Sequence, residues 1–199
     1  MSAIQKATIG NKELRIMQDE DPSSPREWDN LGTMVCWHGR YSLGDKHEFK
    51  TPQDFSEWLK ENKAVVLPIY MYDHSGIGIS THNTEYPFNC PWDSGQLGYI
   101  YVTHDKIKEE FSTKRITQEL IEKAKQQLLG EIETYNQYLQ NDIYGFAIIE
   151  KSTCDKCGLT KETILNSCYG FYGHNFKENG LLEHAGNEWK DAMLEDVQQ

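Results

Sequence analysis

Strand-like segments follow one another along most of this chain, with few helices between them. That order favours an α+β fold, a mixed or antiparallel sheet with helices packed mainly on one face. It disfavours a doubly wound parallel sheet, which needs a crossover helix after each strand. The strand segments are 12–18, 33–38, 64–72, 77–81, 96–103, 143–151 and 163–172, read from alternation or from β-branched and aromatic content. The longest apolar stretch, 64–72, suits a buried strand.

Three helices are expected between the strands and a fourth at the end. Thr51, Pro52 and Asp54 form an N-terminal cap signature, and Phe55, Trp58 and Leu59 then share a face. A short helix is expected over 105–111 and the longest over 117–140. The stripe of the longest is Ile121, Ala124, Leu128, Ile132, Tyr135 and Leu139. The last helix is expected over 181–197, weakened by Gly186. Residues 1–11 read as a loose lead-in to a single domain spanning 1–199, and 19–30 as an ordered acidic loop.

Composition narrows the class. The 199 residues carry 31 acids against 20 bases, a formal charge of −11. A phosphate backbone repels such a surface, so direct nucleic-acid binding is not expected. The first ten residues do not read as a signal peptide, and no apolar run approaches the ~20 residues of a membrane span. Five cysteines, an odd number without an export signal, fit reduced thiols in a cytoplasm. The common nucleotide-binding loops are absent: there is neither G-x-G-x-x-G nor G-x-x-x-x-G-K-[ST]. The long helix mixes Lys123 and Lys125 with its glutamates, an ordinary solvated face and not the dense acidic stripe of a DNA mimic.

Several groups are candidates for chemistry. Cys154-Asp155-Lys156-Cys157-Gly158 is a C-x-x-C-G turn of the kind that directs backbone amides at thiolates. Cys168 and His174 downstream would complete a structural zinc set; the plainer reading is unliganded thiols in a hairpin. Asp73, His74, His82 and Asp93 lie at strand ends and turns, where carboxylates and imidazoles hold a catalytic metal or move protons. The plainer reading is that Asp73 and Asp93 cap turns. A thiol nucleophile would pair Cys36 or Cys90 with His38, His74 or His82. Asp19, Glu20, Asp21, Glu27, Asp29 and Asn30 offer oxygen ligands without the EF-hand spacing, so they read as a solvated loop partly neutralised by Arg26. Most aromatic residues read as core, while Trp28 and Trp92, on loops, are candidates for a recognition surface.

The blocks REWDNLGTMVC (26–36), YDHSG (72–76), CPWDSGQ (90–96) and CYGFYG (168–173) resemble a family of poorly characterised proteins. These are carried by phages and mobile elements, mostly of Gram-positive bacteria. The resemblance runs from about Arg26 to Gly173 and carries over no catalytic residues. It implies a genomic context in which accessory proteins act against host defences such as restriction or CRISPR systems. It also implies that a zinc at Cys154 and Cys157 would be a local feature of this chain.

The leading expectation is therefore a non-enzymatic accessory protein that inhibits or modulates a host defence protein by direct binding. Its candidate contacts are Trp28, Asp29, Asp73, His74, Trp92 and Asp93. The alternative is a metal-dependent hydrolase or nucleotide-handling enzyme using Asp73, His74, His82 and Asp93. A third is a nucleotide-sequestering protein, which needs a pocket lined by aromatics and a few cations. Gathering of Asp73, His74 and Asp93 around one cleft favours the enzyme over the inhibitor.

Overall fold

The computed structural model describes residues 3–74, 76–81 and 93–195. In chain order the strands are β1 (Gln5–Ile9), β2 (Lys12–Gln18), β3 (Thr33–Cys36), β4 (Ala64–Asp73), β5 (Ile77–Ser80), β6 (Ser94–Thr103), β7 (Ile143–Thr153) and β8 (Thr160–Tyr172). The helices are α1 (Pro52–Glu61), α2 (His104–Glu110), α3 (Gln118–Leu139), α4 (Leu181–Ala185) and α5 (Asn187–Glu195). Among the described residues all strand pairs are antiparallel, in two four-stranded sheets, β1-β2-β7-β8 and β3-β6-β4-β5. The fold is α+β. Where the sequence reads as one domain over 1–199, the chain divides into two compact units, Ser23–Gln140 and Met1–Pro22 with Asn141–Gln199.

In the Ser23–Gln140 unit, the period-2 pattern of β4 sends Val65, Leu67, Ile69 and Met71 to one face. There they join Ile100 and Val102 of β6 and the buried stripe Ala124, Leu128, Ile132 and Tyr135 of α3. The opposite face carries Tyr99 and Tyr101. Phe55 of α1, fully buried, packs on both at ring separations of 5.4 and 5.2 Å, and Trp58 follows. Most helical length thus lies on the α3 face, with α1 across the sheet. The expected cap is present: Thr51 Oγ1 accepts the Asp54 N–H at 3.2 Å, and Asp54 Oδ2 accepts the Thr51 N–H at 2.9 Å. Gly98 lets β3 approach β6, since a Cβ there would lie 2.0 Å from the Val35 carbonyl oxygen.

Arg26 corrects one expectation. Its side chain does not neutralise the acidic loop but turns inward, only 6% exposed. Nε and Nη2 donate to the two carboxylate oxygens of Asp45 at 2.9 and 2.6 Å. Nη1 donates to Glu131 of α3 at 2.9 Å, and Nη2 also to the Gly32 carbonyl at 2.8 Å. Both acids are themselves tied to backbone. Asp45 accepts the Met34 N–H at 2.7 Å, and Glu131 accepts the Gly32 N–H at 3.0 Å. The guanidinium therefore joins the 25–32 segment, the 37–48 loop and α3 by bidentate, charge-assisted bonds.

In the other unit, residues 5–9 are not a loose lead-in. They form β1, turned back on β2 through Gly10 at φ +62°. Only Ala7 of its five residues is buried, so the strand carries no apolar alternation for a sequence reading to find. The expected helix over 181–197 is two helices, α4 and α5, because Gly186 adopts φ +121°, outside the helical region. Leu181, Leu182, Ala185 and Trp189 from these helices cover Leu14, Ile16, Phe146 and Phe171 of the sheet. On the other side of β2 and β7, Glu13 accepts from Lys151 Nζ at 2.5 Å and pairs with Arg15, which reaches Glu162 at 2.9 Å. The Lys151 hydrogen bond holds the Glu13 carboxyl below the usual carboxylate range against the opposing effect of burial, and Arg15 adds to it. Among the described residues, no helix is long and apolar enough to cross a membrane.

Candidate functional site

The ladder between β4 and β6 builds the site. Tyr72 stands opposite Ser94, so the residues just beyond that pair, Asp73 and Asp93, come together where the two strands meet the loops. The Asp73 N–H donates to the Asp93 carbonyl at 2.8 Å, and the His74 N–H closes a turn on the Gly76 carbonyl at 3.2 Å. His74 Nδ1 then lies 3.3 Å from Asp93 Oδ2. Asp73, His74 and Asp93 are therefore neighbours. His82 and Trp92, also expected here or nearby, lie outside the described residues, as does Cys90.

Three residues in the 37–48 loop were not anticipated as one group. Arg40 forms an ion pair with Asp73. His38 Nδ1 accepts the backbone N–H groups of Arg40 and Tyr41 at 3.3 and 3.2 Å, which leaves its proton on Nε2. The His38 and Tyr41 rings stack at 5.1 Å with 6° between planes, and the Arg40 guanidinium lies 5.4 Å from the Tyr41 ring centroid. The loop is fixed at Asp45, which Arg26 holds and whose N–H donates to the Met34 carbonyl at 2.8 Å. A sequence signal existed: His38-Gly39-Arg40-Tyr41 places two nitrogenous side chains and an aromatic directly after strand β3.

Two adjoining clefts share His38 and Arg40. One, of about 280 Å³, adds Asp73, Asp93, Gln96 and Leu97. The other, of about 390 Å³, adds Cys36, Tyr41, Asp45 and His47. These sizes lie at the lower end of those that hold small ligands. The ion pairs are exposed enough, with Arg40 71% accessible, that they orient the groups more than they stabilise the fold. An Asp93 carboxylate beside Nδ1 favours a proton on that nitrogen of His74, the orientation in which Nε2 would be the accepting atom. Cys36 is unsuited to nucleophilic attack. Burial, with a contribution from Asp45, pushes its thiol up to about 12, so the thiolate is scarce near neutral pH.

The remaining candidates are dispersed. Trp28 is 49% exposed and Asp29 is exposed, beside a groove lined by Pro25, Gln127 and Thr134. Cys154 and Cys157 lie together, both exposed, in the turn between β7 and β8. The ladder does not bring Cys168 or His174 to them. Cys168 pairs with Phe146, and the last pair before the turn is Thr153 with Thr160. Seven residues at ~3.3 Å each put about 23 Å between those two levels of the ladder. His174 lies beyond the far end of β8, 3.6 Å from Asp142. Among the described residues, no three His, Cys, Asp or Glu side chains are grouped to hold one metal ion.

β8 itself was not anticipated as a surface. It is an outer strand, and residues 160–167 are all exposed. Ile164 is 65% exposed, and Leu165 and Tyr169 are also open. Comparison of the chain with family models, with curated proteins and with solved structures finds no match.

Proposed function

We propose that this is an accessory protein of a phage or mobile element that binds a host defence factor of the restriction or CRISPR type and acts by that contact. The motif resemblance supplies the context, and the observation that carries the binding is β8. Its 13 residues form the outer strand of a sheet, with Ile164, Leu165 and Tyr169 exposed along it. An open strand edge of this kind takes an extended segment of another protein as an added strand. Backbone hydrogen bonds give affinity, and alternate side chains give specificity. The net charge of −11 favours a partner segment with basic flanks. Ile164→Glu should weaken partner binding at least about tenfold, roughly 1.4 kcal/mol, without lowering the melting temperature. Affinity capture from host-type bacterial lysate with wild-type and variant protein tests this. A nuclease-type defence factor held stoichiometrically by the wild type and lost by the variant supports the reading. Equal capture by both excludes the edge, and no such factor excludes the reading.

A second reading has its own support, because Asp73 and Asp93 line one cleft and His74 lies 3.3 Å from Asp93. A hydrolase or nucleotide-handling enzyme would use His74 as the base oriented by Asp93, with Arg40 and Asp73 facing the substrate. A nucleotide-sequestering protein would use the adjoining cleft, with Tyr41 and His38 as the aromatic wall and Arg40, shared by both clefts, as the cation. Either version predicts that a nucleotide or a divalent ion raises the melting temperature of the wild type and not of Asp73→Asn. Identical scans for both proteins with ATP, GTP, cyclic dinucleotides, Mg²⁺ and Mn²⁺ would remove it.

A further inference from the structure

We propose that Cys154 and Cys157 form half of an intermolecular zinc site, completed by the same two cysteines of a second copy of this chain. The turn has the geometry of a metal-binding knuckle. The Cys154 carbonyl accepts the Gly158 N–H at 2.8 Å, and the Cys154 N–H donates to the Leu159 carbonyl at 2.9 Å. Gly158 sits at φ +69°, the left-handed position that closes such a turn. Both thiols are exposed and belong to this one four-residue turn. A closed C-x-x-C-G turn of this kind offers two thiolates to one zinc ion.

The second copy follows from what the chain lacks. Structural zinc takes four ligands in a tetrahedron. Cys168 is about 23 Å away along the ladder, by the same ~3.3 Å rise per residue. No third His, Cys, Asp or Glu joins the pair among the described residues. The pair instead sits at the apex of a hairpin whose residues 152–163 are all exposed, so two apices can meet without obstruction. A two-fold axis through the ion supplies the missing ligands from identical surfaces. The apex is self-complementary: Asp155 and Lys156, of opposite charge, lie between the cysteines, and Leu159, 72% exposed, lies beside them. Each Asp155 can face the Lys156 of the other copy, and the two leucines can cover each other. Four thiolates on one Zn²⁺ leave a charge of −2, while the Asp155 and Lys156 charges beside it balance each other. Binding releases the four thiol protons to solvent and changes no oxidation state. The inference is independent of the reading of β8 as a partner's docking strand, since it concerns the apex alone.

The test uses the full chain, reduced and stripped of metal, titrated with Zn²⁺ while its mass is followed by sedimentation and native mass spectrometry. The expected result is a dimer holding one Zn²⁺ per two chains, reversed by chelator. Co²⁺ in its place should give the sulfur-to-metal charge-transfer band and tetrahedral d–d spectrum of a four-thiolate site. The double variant Cys154→Ser/Cys157→Ser should stay monomeric in zinc with an unchanged melting curve, and Cys168→Ser should dimerise as the wild type does. One zinc per chain with no change of mass, dimerisation that survives the double variant, or no zinc uptake by the reduced protein would each overturn the proposal.

Discussion

Arg26→Ala should lower the stability of the Ser23–Gln140 unit by about 3–5 kcal/mol, the cost of removing one partner from a buried ion pair. The truncation leaves Asp45 and Glu131 facing each other's charge in a largely enclosed space, and it orphans the Gly32 carbonyl. Lysine should recover only part of the loss. Its ammonium is a point charge and cannot span both oxygens of Asp45 while also reaching Glu131. Chemical denaturation read by fluorescence measures this, because Trp28, Trp37 and Trp58 lie in this unit. The effect should extend to the cleft, since Asp45 anchors the loop carrying His38, Arg40 and Tyr41. A loss below about 1 kcal/mol would mean that the network contributes no more than an exposed pair.

Phe146→Ala should cost the other unit a similar amount, about 3–5 kcal/mol, for a different reason. Phe146 is fully buried on β7, opposite Ile16, with its ring 6.0 Å from that of Phe171. Alanine would leave a cavity beneath α4 and α5, whose Leu181 and Trp189 belong to the same core. Phe146→Leu keeps most of the volume and should cost less than about 1.5 kcal/mol. The contrast between the two substitutions, read through the buried Trp189, separates packing from any local effect on the strand. Equal losses for both would show that ring shape, not filled volume, sets the stability there.

Much of the secondary structure was legible along the chain because its signals are local. The stripe from Ile121 to Leu139, the Thr51–Asp54 cap and the alternation of 12–18 each depend on residues within a few positions of one another. The missed strand β1 shows the converse. With one buried alanine in five residues, it is a strand because β2 pairs with it, not because of its own pattern. Part of the site was legible for a similar reason. Asp73 and His74 announce a turn at the end of a strand, and Asp93 announces another, but their meeting required the register of β4 against β6.

The amino-acid sequence alone determined where most strands and helices form, which of their faces are apolar, and that the chain is acidic with a C-x-x-C-G turn. The tertiary structure decided which of these elements share a sheet, and so divided the chain into two units. It also decided that Arg26 joins Glu131 across 105 positions, that Arg40 faces Asp73, and that Cys168 is remote from Cys154. The physical reason is one of range. Periodicity and capping are written in neighbouring residues, whereas strand register and the choice of an ion-pair partner are set by the combined packing of segments far apart in the chain.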